Sequence, residues 1–196
     1  MEVDVLYQIL CIILLIMFYG IYIGKMLAQK NQGIQTDQIA KGNKKKSLLV
    51  VEVIMKIATY SVLVVEIISI VMDTAIKNNI IRVIGIGVGA AGVIFFGLAV
   101  YTMKDSWRAG IPEKDKTKMI TKGIYSISRN PAFVGFDLLY IGVMLVFFNG
   151  ALLVFSLFAI VMLHLQILQE EAFLTMAFEN EYISYKRKVC RYIGRK

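Results

Sequence analysis

Long uninterrupted apolar runs are the main feature of the chain. Val5 to Ile23 and Val83 to Met103 contain no charged residue. About 20 apolar residues in a helix cross the hydrocarbon core of a bilayer, and a spanning segment must satisfy its own backbone, as a helix or a closed barrel does. Because the apolar residues are continuous rather than alternating, the pattern predicts membrane-spanning helices instead of barrel strands.

Three further runs qualify as spans although they carry polar residues. They are 48–72, with Glu52, Lys56 and Glu66; 131–148, with Asp137; and 151–169, with His164. We expect Glu52 and Lys56, four residues apart on one helix, to pair with each other. The fold class is therefore an all-α polytopic membrane helix bundle, a single domain over residues 1–196 with about five spans, at 5–23, 48–72, 83–103, 131–148 and 151–169.

Composition supports the membrane assignment and excludes two kinds of enzyme. Hydrophobic residues make up 58% of the chain and charged residues 18%, against about 45–50% and about 25% in soluble domains. Cys11 and Cys190 lie in different environments and lack metal-ligand spacing, so no metal site is expected. With His164 as the only histidine, a zinc hydrolase or a serine hydrolase is not expected either.

The basic residues predict orientation. The net charge is +8, and most Lys and Arg residues fall in 24–47, 104–130 and the C-terminal tail. The spans place these three segments on one side, which the positive-inside rule makes cytoplasmic. We therefore expect an integral protein of the plasma (inner) membrane with its N-terminus outside and its C-terminus in the cytoplasm. The surplus charge predicts contact with anionic membrane lipids, and not with nucleic acid.

Local patterns predict three structural details. The polar segment 28–47 indicates a mobile cytoplasmic loop, and the GxxxG pair of Gly85 and Gly89 indicates close helix packing. Pro131 suits the first turn of a helix, where its missing N–H has no partner to lose.

The fifth run continues into a helical stripe at three- and four-residue intervals, formed by Gln166, Glu170, Leu174, Phe178, Tyr182, Tyr185 and Val189. Glu170 lies on this stripe and should face the other helices, whereas Glu171 should point elsewhere. An inward carboxylate at the membrane boundary needs a partner. From periodicity alone, Glu170 is equally a structural ion pair with Arg129 or a loop lysine, or a functional group.

The stretch from Trp107 to Tyr192 resembles the isoprenylcysteine carboxyl methyltransferase and phospholipid methyltransferase family. The resemblance is carried by G-I-Y-S-I-S-R-N-P-A-F-V-G at 123–135 and by E-E-A-F-L-T-M-A-F-E-N-E-Y-I-S-Y-K-R-K-V at 170–189, with a pair of spans between them. It implies a methyltransferase that binds S-adenosylmethionine in a cytoplasm-facing pocket of the C-terminal half, about 107–192.

Carried over residue by residue, the resemblance implies the cofactor contacts Thr117, Lys118, Met119, Ile120, Tyr125, Asn130, Pro131, Ala132, Phe133 and Glu170. It also implies a substrate side with Gln166 and Arg129, to which the inward position of Asp137 adds a third residue. No catalytic residue is assigned. Trp107, Arg108 and the 104–122 loop are expected to close over the cofactor.

Two positions depart from the family pattern. Asn130 stands where the family has histidine, and Gln166 stands where the isoprenylcysteine enzymes often have arginine. Because asparagine cannot titrate, we favour a carboxylate or another already nucleophilic group on a membrane-soluble acceptor, such as an isoprenylcysteine-like substrate. The alternatives are methylation of a phospholipid amine or a quinone-like lipid, or a non-catalytic membrane scaffold of the same fold.

Overall fold

A computed structural model describes residues 2–75, 78–111 and 118–196. Within these ranges the chain forms five α-helices, which are α1 (Glu2–Asn31), α2 (Lys46–Val71), α3 (Asn79–Met103), α4 (Pro131–Val146) and α5 (Gly150–Lys188). Two short 3₁₀ helices, Lys104–Ser106 and Gly123–Ser126, lie between α3 and α4.

The helices match the predicted membrane bundle. The helices α1, α2, α3 and α5 are long and apolar enough to cross a membrane, whereas α4 is a shorter apolar helix of 16 residues. The fifth predicted span is the first part of a 39-residue helix. This helix bends at Glu179, whose φ of 42° is not helical.

Two capping residues and a proline explain where three helices begin. The side chain of Asn78 accepts hydrogen bonds from the backbone at the start of α3, and that of Asn149 accepts one from Leu152 at the start of α5. Such caps satisfy donors that have no partner inside the helix. As predicted, Pro131 occupies the first turn of α4.

The predicted close packing of Gly85 and Gly89 is confirmed, and α4 is the partner. A Cβ added to Gly85 would lie 2.8 Å from the carbonyl oxygen of Gly142, and one added to Gly142 would lie 2.5 Å from the backbone nitrogen of Gly89. Gly92 and Gly135 make a second contact of the same kind. The backbones of α3 and α4 therefore touch, which fixes the position of α4 in the bundle.

Contacts distinguish the two ends of the bundle. At one end, Arg82 of α3 pairs with Asp4 of α1 and with Asp73 after α2. At the opposite end, Lys25 of α1 pairs with Asp105 after α3. The end with Lys25 and Asp105 carries the loops that border the cavities described below. We call it the loop end.

The segment predicted as a mobile loop is instead held by hydrogen bonds. The helix α1 continues to Asn31, and the amide of Gln29 donates to the carbonyl oxygen of Trp107 at 3.2 Å. Thr36 donates to Gln29, and its own carbonyl oxygen accepts from the backbone N–H of Ala109. The connection after α1 is thus tied to the connection after α3.

The predicted pair between Glu52 and Lys56 is wrong. Glu52 is fully buried and accepts from Lys44 Nζ at 2.8 Å, while Lys56 lies 3.6 Å from Asp37. Both partners come from the connection before α2, and helical spacing alone cannot reveal them.

Candidate functional site

A large cavity of about 330 Å³ opens among the helices near the loop end. We call it the large cavity. Its lining residues are Tyr19, Tyr22, Ile23, Met26, Asp37, Ile39, Met55, Lys56, Thr59, Tyr60, Leu63, Phe96, Trp107, Arg108, Ala109, Gly110, Ala132, Phe133, Phe136, Leu163, Gln166 and Glu170.

The polar and the apolar lining residues of the large cavity are separated along the helices. Charged and amide groups, among them Lys56, Arg108 and Glu170, stand at the loop end, and apolar and aromatic side chains fill the rest. On α5 the lining extends from Glu170 back to Leu163, seven positions earlier, a rise of about 10 Å. The cavity is therefore amphipathic, with its polar part at the loop end.

The rim of the large cavity reaches the outer surface of the bundle at α1 and α2. Ile23 of α1 and Tyr60 of α2 both line it, and they are 53% and 62% exposed. Both helices are apolar enough to cross a membrane, so the cavity opens on an apolar side of the bundle.

A second cavity of about 140 Å³ adjoins the first. We call it the small cavity. Its lining residues are Met103, Ser106, Trp107, Arg108, Gly110, Ile111, Tyr125, Arg129, Asn130, Ala132, Phe133, Glu170, Phe173 and Leu174. Six of these also line the large cavity: Trp107, Arg108, Gly110, Ala132, Phe133 and Glu170. The two cavities thus share one wall.

Glu170 stands in this shared wall. It is half-buried, and one carboxylate oxygen accepts from the Gln166 amide at 3.1 Å. Tyr125 lies close by: burial raises the pKa of its hydroxyl, and the charges of Tyr185 and Glu170 add to that rise. The predicted inward orientation of Glu170, toward the segment from Tyr125 to Phe133, is therefore what the structure has.

Glu171 points to a different face of α5, as predicted, but that face is also covered: Glu171 is 3% exposed and forms the centre of a buried polar cluster. Arg129 donates to it at 2.7 Å and Arg191 at 3.0 Å, and the amide of Asn130 donates at 3.2 Å. The structural ion pair with Arg129 therefore involves Glu171, and not Glu170.

The C-terminal tail completes the support of this cluster. The carbonyl oxygen of Cys190 accepts from the backbone N–H of Arg129, and the carbonyl oxygen of Arg191 accepts from the Asn130 amide. The N–H of Gly194 donates to the carbonyl oxygen of Ile127. The tail thus holds in place the segment that leads into α4. That segment contributes part of the lining of the small cavity.

The structure brings together some of the predicted cofactor residues and not others. Tyr125, Asn130, Ala132, Phe133 and Glu170 line the small cavity. Pro131 is buried beside them at the start of α4. Lys118, Met119 and Ile120 line neither cavity, and Met119 packs on Tyr182, Tyr185 and Val189. Thr117 lies outside the described residues.

The predicted substrate-side residues separate in space. Gln166 lines the large cavity and Arg129 the small one. Asp137 lines neither, and one of its carboxyl oxygens has no hydrogen-bond partner among the residues that the structure describes.

Comparison with known protein families shows to which family the chain belongs. The sequence model of the phospholipid methyltransferase family matches residues 61–181. The chain belongs to the phospholipid methyltransferase family. It is a membrane methyltransferase. None of the curated proteins matches the chain.

The match covers the residues that form the shared wall of this methyltransferase. Trp107, the segment from Tyr125 to Phe133, and Glu170 all lie within 61–181. The tail from Tyr182 onward and the first part of α2 lie outside the matched range.

The two departures from the family pattern have distinct surroundings in this methyltransferase. Asn130 directs its amide nitrogen to Glu171 and to the Arg191 carbonyl oxygen, so its donors serve the polar cluster. Gln166 is buried and donates to Glu170, while its amide oxygen has no partner among the described residues.

Sequence reasoning missed the part of the large cavity that α1 and α2 form. Tyr19 and Tyr22 on α1, and Thr59 and Tyr60 on α2, contribute to its lining. The resemblance covered only the last 90 or so residues, so nothing directed attention to these positions. The one available signal was the presence of tyrosines and a threonine within otherwise aliphatic spans.

Proposed function

We propose that this methyltransferase binds S-adenosylmethionine at the small cavity and a membrane-soluble acceptor in the large cavity. The observation that carries the proposal is the shared wall, in which Trp107, Phe133 and Glu170 line both cavities. A methyl group crossing from one cavity to the other would pass only along this shared wall.

The residues of the small cavity fit the chemistry of this cofactor. The carboxylate of Glu170 can accept hydrogen bonds from its ribose hydroxyls or its ammonium group. The rings of Tyr125, Phe133 and Phe173 stand in the same lining, and aromatic faces attract a sulfonium cation. The Asn130 side chain offers its amide oxygen, since its nitrogen is already engaged.

When bound, the cofactor supplies an electrophilic methyl group on a positively charged sulfur. The contribution of the protein is to position the reactants and to exclude water. Trp107 is only 4% exposed and packs at the edge of the rings of Tyr22 and Phe96. This aromatic group keeps the shared wall apolar on the side of the large cavity.

The acceptor should be an amphiphile, because the large cavity is apolar over most of its length and opens toward lipid. We favour a carboxylate at its reactive end, as in an isoprenylcysteine-like lipid. A carboxylate oxygen takes the methyl carbon as the carbon–sulfur bond breaks, and no proton has to be removed. An amine acceptor would have to lose a proton to a general base. In the shared wall that base would be Glu170, which already accepts a hydrogen bond from Gln166.

The loop end carries most of the Lys and Arg residues, and we assign it to the cytoplasmic side of the plasma membrane by the positive-inside rule. S-adenosylmethionine would then enter from the cytoplasm and the acceptor from the bilayer. The two reactants would reach the shared wall by separate routes.

A calorimetric titration tests the proposal. The purified protein, in lipid nanodiscs, is titrated with S-adenosylmethionine and with its demethylated product. We expect saturable binding of both, and a loss of at least roughly tenfold in affinity for Glu170→Ala, from the loss of a charge-assisted hydrogen bond. Glu181→Ala is the matched control, because Glu181 is an exposed carboxylate on the same helix.

Folding of each variant is checked by circular dichroism before titration. Absence of binding to the folded wild-type protein would overturn the cofactor assignment. Equal affinities of Glu170→Ala and Glu181→Ala would overturn the role of Glu170 and favour a scaffold without activity.

A further inference from the structure

The polar end of the large cavity is lined by four charged side chains, those of Asp37, Lys56, Arg108 and Glu170. Arg108 donates to two backbone carbonyl oxygens of its own connection, at 2.6 Å and 2.8 Å, and Glu170 accepts from the Gln166 amide. The ammonium nitrogen of Lys56 lies 3.6 Å from a carboxylate oxygen of Asp37, which is longer than a hydrogen bond. Lys56 is therefore held more loosely than Arg108 or Glu170.

The carboxylate of Asp37 is satisfied without Lys56. The Nζ of Lys41 lies 3.0 Å from the same oxygen of Asp37, and the backbone N–H of Ile39 donates to the other oxygen at 3.1 Å. Because both oxygens already have closer partners, the fold does not require Lys56 as their counter-charge.

A lysine that does serve the fold has different surroundings. Lys44 lies 2.8 Å from the fully buried Glu52, and its side chain is only 4% exposed. The side chain of Lys56 is 38% exposed, and it lines the large cavity. A molecule in that cavity can therefore reach the side chain of Lys56.

Lys56 also stands next to the wall that the two cavities share. Its neighbour Asp37 forms a backbone bridge with Ala109. On either side of Ala109 are Arg108 and Gly110, which line both cavities. A group bound by Lys56 would thus lie at the end of the large cavity where methyl transfer is proposed.

A carboxylate at this end of the cavity needs a cation. Glu170 stands in the shared wall, and a second negative charge beside it in a largely apolar cavity would be repelled. An ammonium group in the same lining offsets that repulsion, and it is attractive to an anion and indifferent to an uncharged head group.

We propose that Lys56 binds the carboxylate of the acceptor and thereby selects an anionic lipid over an uncharged one. One carboxylate oxygen accepts from Lys56, and the other remains for the methyl group. This deepens the proposed function and rests on it, since it takes the occupant of the large cavity to be the methyl acceptor. The family match begins at residue 61, so Lys56 is a specificity-determining residue outside the matched range.

Equilibrium binding of radiolabelled octanoate and octanamide tests this inference. The two probes have the same chain, which suits a cavity whose lining on α2 runs from Lys56 to Leu63, a rise of about 10 Å. Each is measured on the full chain in nanodiscs of zwitterionic lipid at about pH 8, where a carboxyl group is ionised and a lysine is charged. Binding to protein-free nanodiscs is subtracted.

The quantity compared is the carboxylate preference, the affinity for octanoate divided by that for octanamide. We expect Lys56→Met to lower it by roughly three- to tenfold, the effect of one charge-assisted hydrogen bond that is partly exposed to water. Lys56→Arg should keep most of the preference, because arginine retains the charge.

Lys46→Met is the matched control. Lys46 is an exposed lysine on the same helix and lines neither cavity, so this variant removes the same charge from the chain and should leave the preference unchanged. Equal preferences of Lys56→Met and the wild-type protein would overturn the inference. So would an equal loss in Lys46→Met, which would assign the effect to net charge, or no binding of either probe to the wild-type protein.

Circular dichroism establishes that each variant is folded. Should Lys56→Met fail to fold, Lys56→Gln takes its place, since it also removes the charge while keeping a polar side chain. It should lower the carboxylate preference in the same direction. An unchanged preference in Lys56→Gln would overturn the inference in that case.

A parallel titration with S-adenosylmethionine separates this inference from the proposed function. A carboxylate preference that depends on Lys56 supports the anion site even if the cofactor does not bind, and then only the proposed function fails. Cofactor binding without a preference that depends on Lys56 supports the proposed function and overturns the role of Lys56.

Discussion

Arg129 donates from Nη2 to Oε1 of Glu171 over 2.7 Å, and the side chain of each residue is only 3% exposed. The pair joins the segment before α4 to α5. Arg129 also donates to the carbonyl oxygens of Lys186 and Val189, so it links α5 to the tail. Arg129 lines the small cavity, whereas Glu171 does not. Glu171 therefore supports the cavity by holding Arg129 in place.

Loss of the charge at Glu171 should destabilise the protein. In Glu171→Gln the guanidinium of Arg129 stays buried without a counter-charge, and breaking a buried pair in this way costs about 3 kcal/mol. The free energy of unfolding in detergent, measured by denaturant titration, checks this value. Glu181→Gln, an exposed position on the same helix, should change it by less than about 0.5 kcal/mol. Equal stabilities of the two variants would show that the buried pair does not contribute.

The contact of α3 with α4 should not tolerate a single methyl group. In Gly142→Ala the new Cβ would lie 2.5 Å and 2.6 Å from backbone atoms of Gly89, which cannot move aside as a flexible side chain would. Overpacking of this kind costs about 1–3 kcal/mol.

Gly87→Ala is the matched control for this prediction, because a Cβ at Gly87 of the same helix pair meets no atom within 4 Å. Thermal unfolding of the two variants side by side measures the difference. A Gly142→Ala protein that melts together with Gly87→Ala would contradict the close approach of the two helices.

Asp37 should make the stability of the loop end depend on pH in the acid range. Burial raises the pKa of Asp37, but the hydrogen bonds from Lys41 and from the backbone N–H of Ile39, together with the charge of Lys56, outweigh burial and hold the pKa below its usual value. A depressed pKa in the folded state stabilises the protein above the unfolded value of about 3.9, and this contribution is lost as the pH falls through the lower folded value.

The comparison of Asp37→Asn with the wild-type protein measures that contribution. The wild-type protein should be the more stable at neutral pH, and the difference in melting temperature should shrink once the pH falls below about 4. A difference that grows on acidification would have the wrong sign for a depressed pKa.

Much of the bundle follows from the sequence because membrane-spanning helices are specified locally. The start of α4 at Pro131 and the contact of Gly85 and Gly89 with α4 depend on short patterns whose physical meaning is direct. The inward orientation of Glu170 follows from its place on the helical stripe.

The polar contacts at the loop end were not predictable in the same way. Lys44 reaches Glu52 from a connection whose path helical spacing does not describe, so the spacing predicts the wrong partner, Lys56. The cluster around Glu171 depends on Arg191, which the tail brings back to α5 only after the chain has folded. Periodicity identifies the face on which a residue lies, whereas these contacts depend on which distant segment covers that face.

The most direct measurement of the central claim is transfer of labelled methyl groups. Membranes containing the protein are incubated with S-adenosylmethionine labelled on its methyl carbon, and the lipid extract is analysed for labelled products. We predict a labelled lipid that forms with the wild-type protein and with Glu181→Ala, and that Glu170→Ala fails to produce although it is inserted and folded. Label that appears equally with Glu170→Ala, or that never enters a membrane-soluble product, would contradict methyl transfer across the wall that the two cavities share.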